Sequence, residues 1–263
     1  MRCCTLVLLL LTMARPAMAD VTTETIEYRD GDIGLVGFLA YDSAKAKATT
    51  PLPGVMIVHQ WMGVTDYEKS RCEQLAKLGY VAFACDVYGA GVRPSDTREA
   101  GATAGIYKND RELYRHRLNL GLAELRKQKQ VAEGKLAAIG YCFGGTGVIE
   151  LARSGAKVDG VVSFHGGLDS PTPDDGKNIS AKVLICHGAD DPFVSPSDID
   201  AMKAEFNGHQ VDWQMNIYSG AVHSFTQPMA GNDNSKGAAY NEQADVRSFQ
   251  AMAGFFNELF SVK

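Results

Sequence analysis

Short apolar runs recur along most of the chain and are separated by longer segments of mixed character. Apolar or mostly apolar runs occupy residues 55–58, 81–85, 136–139, 160–164 and 183–185. Runs of this kind, bounded by glycine and polar residues, are typical of strands that are buried on both faces of a sheet. They predict the central strands of a mostly parallel sheet.

Apolar residues at helical spacing characterise the segments between these runs. We predict helices over residues 66–78, 107–129, 145–153, 197–207 and 240–260, and one more strand over residues 211–218. Thr65 and Glu68 form a capping-box pattern at the start of the first helix, and Gly79 ends it. Strands that alternate with helices indicate an α/β fold with helices on both faces of the sheet.

Two alternating runs, residues 22–29 and 33–41, precede this pattern and are joined by a short Asp-Gly-Asp turn. They predict an antiparallel hairpin at an edge of the sheet. A loop over residues 43–53 follows. Since the sequence contains no internal repeat and no linker, residues 20–263 are expected to form a single domain.

The first nineteen residues differ from the rest of the chain. Arg2 is followed by an apolar run over residues 3–13, and small residues stand at Ala17 and Ala19. This is the pattern of a secretory signal peptide, here cleaved after Ala19, and it predicts a secreted or periplasmic protein. The apolar run is shorter than the roughly 20 residues that a membrane-spanning helix needs.

The composition is that of an ordinary globular protein. Apolar residues make up 45% and charged residues 22% of the 263 residues, and the formal net charge is −5. These values argue against long disordered segments and against the basic surface that nucleic acid requires. We expect a monomer with no nucleic-acid partner and no membrane span after signal cleavage.

Four of the six cysteines lie beyond the predicted signal: Cys72, Cys85, Cys142 and Cys186. Their spacing fits neither a zinc site nor a redox pair, and it does not establish a disulfide, although Cys72 and Cys85 are neighbours in sequence. No local spacing supports a metal site built from Cys186, His165, His187 and an aspartate. We expect neither a metal nor a cofactor.

A glycine-flanked cysteine lies between a predicted strand and a predicted helix. Residues 140–144 read Gly-Tyr-Cys-Phe-Gly, the nucleophile-elbow pattern with cysteine in place of serine. There the Cys142 thiol would sit at a helix N-terminus, which favours the thiolate, and the Phe143 backbone N–H could donate to a developing oxyanion. Taken alone, the motif would also fit a buried structural cysteine beside a glycine-rich turn.

An acid and a histidine follow this cysteine in the order that α/β-hydrolases require, each after a predicted strand. Asp190 and Asp191 follow the strand at 183–185, and His223 follows the strand at 211–218. We favour Asp191 as the acid, with Asp190 capping the turn. His223 would then take the Cys142 thiol proton and return it to the leaving group, while Asp191 orients the imidazole. His59, His165 and His187 are expected to be hydrogen-bonded core or loop histidines.

Five segments together resemble the dienelactone hydrolase family, the carboxymethylenebutenolidases. They are residues 58–63, 86–89, 140–145, 187–194 and 221–225, and the similarity extends over about residues 25–260. The resemblance implies an α/β-hydrolase fold and cofactor-free opening of lactones or cleavage of esters. It also implies that the Trp61 backbone N–H is a second oxyanion donor, and that the substrate pocket involves Gln60, Tyr88, Arg93 and Phe225.

Three positions depart from the enzymes that act on dienelactone. Gln60 stands where those enzymes carry a glutamate that interacts with the resting thiol. Ala90 and Gln227 stand where they carry two arginines that hold the substrate carboxylate, and Arg93 is the nearest possible substitute. Since an arginine–carboxylate pair is a strong and specific contact, we expect a neutral or differently anchored ester to be preferred over dienelactone.

Other functions remain compatible with these residues. The same triad could cleave thioesters or transfer an acyl group, and a secreted binding protein could keep the fold without turnover. The segment 89–105 is rich in glycine, alanine and charge. It is expected to be either a solvent-exposed loop with a short helix or a lid over the substrate.

Overall fold

The computed structural model describes residues 20–47 and 49–260, so the predicted signal peptide lies outside the described residues. The strands, numbered along the chain, are β1 (Val21–Asp30), β2 (Ile33–Asp42), β3 (Leu52–Val58), β4 (Val81–Cys85), β5 (Val131–Tyr141), β6 (Gly160–Phe164), β7 (Lys182–Gly188) and β8 (Trp213–Tyr218). The α-helices are α1 (Asp66–Leu78), α2 (Thr97–Asn109), α3 (Arg111–Arg126), α4 (Phe143–Arg153), α5 (Pro196–Gly208) and α6 (Glu242–Phe260).

All eight strands belong to one mixed sheet with the order β1-β2-β4-β3-β5-β6-β7-β8. The β1–β2 hairpin is antiparallel and pairs antiparallel with β4, whereas the strands from β4 to β8 run parallel. The predicted α/β fold with an N-terminal hairpin at the sheet edge is therefore confirmed.

Each face of the sheet carries its own hydrophobic core. Along β4 the side chains alternate between the two cores. Phe83 and Cys85 face what we call the first core, and Ala82 and Ala84 face the second core. Helices α1 and α6 cover the second core, and α2 to α5 cover the first. Cys72 on α1 belongs to the second core, so the sheet separates it from Cys85, and both cysteines are free.

Local capping sets the ends of α1. The Thr65 and Glu68 side chains form the predicted capping box, with the Thr65 N–H donating to Glu68 Oε2 at 2.8 Å. Gly79 ends the helix in a left-handed conformation with φ of 97°. The predicted bounds of this helix are confirmed because both end signals are local.

The single helix predicted over residues 107–129 is wrong. The structure has α2 and α3 instead, and Asp110 lies between them. The Asp110 N–H donates to the Ile106 carbonyl at the end of α2, and its carboxylate accepts from the Leu113 N–H at the start of α3. Asp110 thus caps both helices. The segment 89–105, predicted to be either a loop with a short helix or a lid, contains a loop and the first turns of α2.

The carboxyl ends of the parallel strands meet at one edge of the sheet. The loops after β3, β5, β7 and β8 therefore lie next to each other, and the candidate catalytic residues belong to these loops. Within residues 20–47 and 49–260, no helix is long and apolar enough to cross a membrane.

Candidate active site

Cys142 occupies the turn between β5 and α4, at the N-cap position of the helix. Its φ is 56°, an unusual value for a residue other than glycine. The flanking glycines permit this turn, since a Cβ on Gly140 would overlap the Gly144 carbonyl, and a Cβ on Gly144 would overlap the Val58 carbonyl. The side chain is half-buried, whereas Cys72, Cys85 and Cys186 are buried.

Asp191 and His223 are joined across two loops. His223 Nδ1 lies 2.9 Å from Asp191 Oδ2, and Asp191 Oδ1 accepts from the Phe193 N–H at 2.9 Å. The Asp191 carboxylate is buried, whereas Asp190 is exposed at the surface. The backbone of His223 is held by the segment after it, through the Gly237 carbonyl and the Ala239 N–H.

The imidazole of His223 and the Cys142 thiol lie close enough together to shift each other's pKa. Burial alone would raise the pKa of the Cys142 thiol, but its interactions with His223 and with the Phe143 N–H lower that pKa below its ordinary value. Burial likewise opposes protonation of His223, yet Cys142 and Asp191 outweigh it and raise the pKa of His223 to about 10. These directions favour a thiolate–imidazolium pair at neutral pH.

These groups open onto a cleft of about 460 Å³, which we call the active-site cleft. Its lining includes Cys142, His223 and Phe143, and its outer wall comes from α2 and from the loops after β6, β7 and β8. The residues from those parts of the chain are Ala104, Lys108, Gly167, Phe193, Val194, Ser224, Lys236 and Ala238. Thr146 on α4 and Trp61 after β3 complete the lining.

Trp61 lies at the rim of the cleft on the loop after β3. A buried histidine holds this loop: His59 Nδ1 bonds the Gln60 carbonyl at 2.5 Å, and His59 Nε2 accepts from the Val87 N–H at 3.2 Å. The Tyr88 hydroxyl donates to the Trp61 carbonyl at 3.1 Å. Tyr88 is buried beneath the loop against the Phe143 ring, so it supports the cleft wall from behind.

Gln60 and Gln227 line a second space of about 490 Å³, the neighbouring cleft. It shares Trp61, Ser224, Lys236 and Ala238 with the active-site cleft. The Gln60 backbone N–H donates to the buried Glu68 carboxylate at 3.1 Å. Gln60 therefore lies beside the active-site cleft rather than in its lining.

Two residues predicted for the substrate pocket, Arg93 and Phe225, do not reach the active-site cleft. The Arg93 guanidinium donates to the carbonyls of Val92 and Gly89 and lies 3.7 Å from the Asp86 carboxylate. Phe225 has no exposed surface and packs in the second core against His165 and Tyr218. Both side chains are directed by tertiary contacts that sequence spacing does not reveal.

Lys108 and Phe193 line the cleft but were not predicted from the sequence. Lys108 lies on α2, and its charge contributes to lowering the pKa of the Cys142 thiol. Among the described residues, no acidic side chain forms an ion pair with it. Phe193 is 62% exposed and meets the His223 ring edge-on at 5.3 Å. Phe193 could have been proposed from the sequence, because it lies two residues after Asp191. Lys108 could not, because its position depends on helix α2, which was not predicted correctly.

His165 and His59 confirm the prediction of hydrogen-bonded core histidines. His165 is fully buried and bonds the Cys142 backbone N–H and the Thr226 hydroxyl. His187 is also buried, and burial lowers its pKa. In the described part of the chain, no group of three or more His, Cys, Asp or Glu side chains is arranged to hold a metal ion.

Comparisons with known proteins agree with this architecture. A solved structure of a dienelactone hydrolase-like promiscuous phosphotriesterase from metagenomic libraries is 39% identical, with a TM-score of 0.85 over 92% of this chain and 99% of that chain. The carboxymethylenebutenolidase of Pseudomonas putida is 27% identical over 212 residues, which cover 78% of this chain and 86% of the relative. The dipeptidyl peptidase 4 of Porphyromonas gingivalis is 14% identical, with a TM-score of 0.67 over 90% of this chain and 35% of that chain, and shares the fold alone.

The sequence profile of the dienelactone hydrolase family matches residues 37–260, which include β3 to β8 and every candidate catalytic residue. The match covers most of the chain, and the fold and the elbow at Cys142 agree with it. The chain is a hydrolase that belongs to the dienelactone hydrolase family.

Proposed function

We propose that the chain hydrolyses carboxylic esters or lactones through an acyl-thioenzyme formed on Cys142. The observation that carries this proposal is the 2.9 Å contact between His223 and the buried Asp191, with Cys142 and His223 lining the same open cleft. Such an arrangement activates a nucleophile and holds the base in one orientation.

In the first half of the reaction, the Cys142 thiolate attacks the carbonyl carbon of the substrate. A carbon–sulfur bond forms, and the carbonyl electron pair moves to oxygen, where the backbone N–H groups of Phe143 and Trp61 stabilise the negative charge. Collapse of this intermediate breaks the bond between carbon and the leaving oxygen. The leaving oxygen takes the proton from the His223 imidazolium, and Asp191 holds the imidazole in place.

In the second half, water hydrolyses the thioester. The now neutral His223 removes a proton from water as the water oxygen attacks the thioester carbonyl. Collapse then breaks the carbon–sulfur bond and restores the Cys142 thiolate beside the His223 imidazolium. The carboxylic acid product leaves, and no other reactant is consumed. Cleavage of a thioester substrate would follow the same two steps. Acyl transfer would differ only in that another nucleophile takes the place of water in the second step.

The first prediction concerns the nucleophile. Protein beginning at Asp20 should release p-nitrophenol from p-nitrophenyl acetate, and Cys142→Ala should abolish the release because no other cleft residue replaces the sulfur. One equivalent of iodoacetamide should inactivate the wild type. Cys142→Ser should retain weak activity, since serine needs stronger base assistance.

Cys186→Ala is the matched control, because Cys186 is a free cysteine that is buried in the core. It should keep its activity and its sensitivity to iodoacetamide. Turnover by Cys142→Ala at the wild-type rate would refute the assignment of the nucleophile. A wild type that binds esters without turnover would favour a non-catalytic binding protein.

The second prediction concerns the substrate. Ala90 and Gln227 provide no cation, and Arg93 is held by carbonyls and Asp86. Among the described residues that line the active-site cleft, the only lysine or arginine side chains are Lys108 and Lys236. Since an ammonium lacks the bidentate geometry of a guanidinium, neutral aryl esters should show clearly higher kcat/KM than dienelactone. Comparable kcat/KM values for the two substrates would contradict this expectation.

Phosphotriester cleavage is a second candidate activity, because the metagenomic relative that is described as a promiscuous phosphotriesterase is 39% identical. The Cys142 thiolate could attack phosphorus and expel a phenolate in place of the acyl step. Diethyl p-nitrophenyl phosphate releases the same chromophore as the ester probe, so both rates can be compared in one assay. Absence of Cys142-dependent release from the phosphotriester would limit the chain to acyl substrates.

A further inference from the structure

His165 is a buried histidine next to the triad that the proposed mechanism does not use. It follows β6 directly, and its φ of 40° is unusual for a residue other than glycine. Its backbone N–H donates to the Cys186 carbonyl at 2.9 Å, so the backbone is held by the neighbouring strand. Unusual backbone conformations that surrounding contacts enforce are frequent at functional sites.

The ring of His165 is held in one tautomer. The Cys142 backbone N–H, which can only donate, lies 3.1 Å from Nδ1, so Nδ1 must be the unprotonated acceptor. The ring proton is therefore on Nε2, which donates to the Thr226 hydroxyl at 2.8 Å. The Cys142 N–H also points to the Phe164 carbonyl at 3.0 Å, so its hydrogen bond is shared between two acceptors.

The two partners of His165 belong to the two loops that must meet for catalysis. Cys142 carries the nucleophile, and Thr226 lies three residues after His223 on the same loop. The Thr226 carbonyl accepts from Arg71 at 3.0 Å, so α1 anchors the backbone at this end of the link. The Thr226 hydroxyl also lies 2.7 Å from the Tyr67 hydroxyl. The His165 ring also packs against the His223 ring at 5.2 Å.

The groups around His165 disfavour a positive charge on it. The charges that face it are those of His223, Arg71 and His187, with the Tyr141 ring beside it. Burial and these charges hold the pKa of His165 well below its ordinary value. The ring can therefore stay neutral while His223 is an imidazolium, and Nδ1 keeps its acceptor role.

We infer that His165 is a positioning residue that sets the approach of the Cys142 sulfur to the His223 imidazole, by holding the nucleophile's amide and the histidine-bearing loop on its two ring nitrogens. The inference rests on the proposed function. It assigns to His165 a cross-link between the loop that carries Cys142 and the loop that carries His223. Small misplacements of reacting groups are costly, so such a link affects the rate more than substrate binding.

Thr226→Val tests the link, because it keeps the shape of the side chain and removes only the hydroxyl that Nε2 requires. We expect kcat for p-nitrophenyl acetate to fall by about tenfold with KM unchanged within about twofold. The acid limb of the iodoacetamide reaction of Cys142 should move to higher pH by about one unit, since the imidazolium no longer lies close to the sulfur. Thr226→Ser should restore both values.

Tyr67→Phe is the matched control, because it removes the other hydrogen bond of the Thr226 hydroxyl and leaves the His165 bond intact. It should retain the wild-type kcat and pH profile. Wild-type kinetics in Thr226→Val, or equal losses in Thr226→Val and Tyr67→Phe, would overturn the inference. Melting temperatures of all variants distinguish a loss of fold from a loss of position.

A measurement on the unmodified protein keeps the inference testable if Thr226→Val does not fold. In protein labelled with ¹⁵N-histidine, the His165 ring should remain neutral and protonated on Nε2 from about pH 5 to about pH 9. A proton on Nδ1, or titration within this range, would overturn the inference. This result is independent of turnover, whereas failure of the proposed function would appear as ester release by Cys142→Ala.

Discussion

Three neighbours of Cys142 favour the ionised form of its thiol. They are His223, the Phe143 N–H in the first turn of α4, and Lys108, which lines the same cleft, and together they lower the pKa of the thiol although burial opposes them. A helix N-terminus and nearby cations are the features that make cysteines reactive. The buried cysteines lack them, and burial raises the pKa of the Cys186 thiol to about 12.

Asp191 influences the pH range over which the Cys142 thiolate and the His223 imidazolium form an ion pair. The lowered thiol pKa keeps the Cys142 sulfur ionised as the pH falls below 9.0, its ordinary value, and the His223 pKa of about 10 keeps the imidazole protonated up to alkaline pH. Asp191→Asn removes a charge that raises the His223 pKa. The imidazolium is then lost at lower pH, and the thiol pKa rises because its partner is weaker.

We therefore predict that Asp191→Asn moves the acid limb of Cys142 alkylation to higher pH and lowers kcat/KM by about 10²- to 10⁴-fold. The alkylation rate with iodoacetamide across the pH range provides the measurement. Asp190→Asn is the matched control, since Asp190 is the adjacent but exposed carboxylate, and it should behave as wild type. An unchanged alkylation profile in Asp191→Asn would contradict the prediction.

The candidate site was only partly predictable at the level of single residues. Cys142, Asp191 and His223 each follow a strand in the required order, so chain order and strand ends were sufficient to propose them. Arg93 and Phe225 were assigned to the pocket from neighbouring motifs, but a loop side chain can turn to either side of its backbone. Asp86 and nearby carbonyls engage Arg93, and the second core engages Phe225.

Among the elements, local signals explain which bounds could be predicted. α1 has a capping box at one end and a left-handed glycine at the other, and both signals are contained in the adjacent sequence. The boundary between α2 and α3 depends on Asp110, which caps one helix with its N–H and the next with its carboxylate. A single polar residue within a periodic pattern resembles an exposed helical position, so the break could not be recognised.

Helices α3, α4 and α5 are joined by buried charges. Arg153 on α4 is fully buried and binds Glu205 on α5 through two bonds, at 2.9 and 2.6 Å. Arg153 also donates to Glu150 at 2.8 Å, and Glu150 accepts from Arg115 on α3 at 2.8 Å. The network holds together the helices on the face of the sheet that carries α4 and the nucleophile turn.

We predict that Glu205→Gln lowers the free energy of unfolding by about 3 kcal/mol, because it leaves the buried Arg153 charge without its bidentate partner. Urea unfolding followed by circular dichroism would measure the change. Glu258→Gln is the control: its carboxylate pairs with Lys182 at the surface, and pairs of this kind contribute little. Equal stability changes in the two variants would show that the buried network has no special role.

For the whole molecule, the sheet order explains why the candidate catalytic groups converge. β5, β7 and β8 lie on the same side of the sheet centre, and each delivers one of Cys142, Asp191 and His223 from its carboxyl end. The alternation of strands and helices was enough to predict a mostly parallel sheet, but not the order of its strands. The shape of the cleft was not predictable, because its walls combine α2 with loops from distant parts of the chain.

Helix α2 forms part of the outer wall of the active-site cleft, so changes in this helix can change which substrates enter. Residues 97–109 contribute Ala104 and Lys108 to the cleft but none of the three candidate catalytic groups. This part of the cleft wall and the candidate triad thus belong to separate stretches of sequence. A new helix grafted between β4 and α3 could change what enters the cleft while the reactive centre, built from other loops, stays intact.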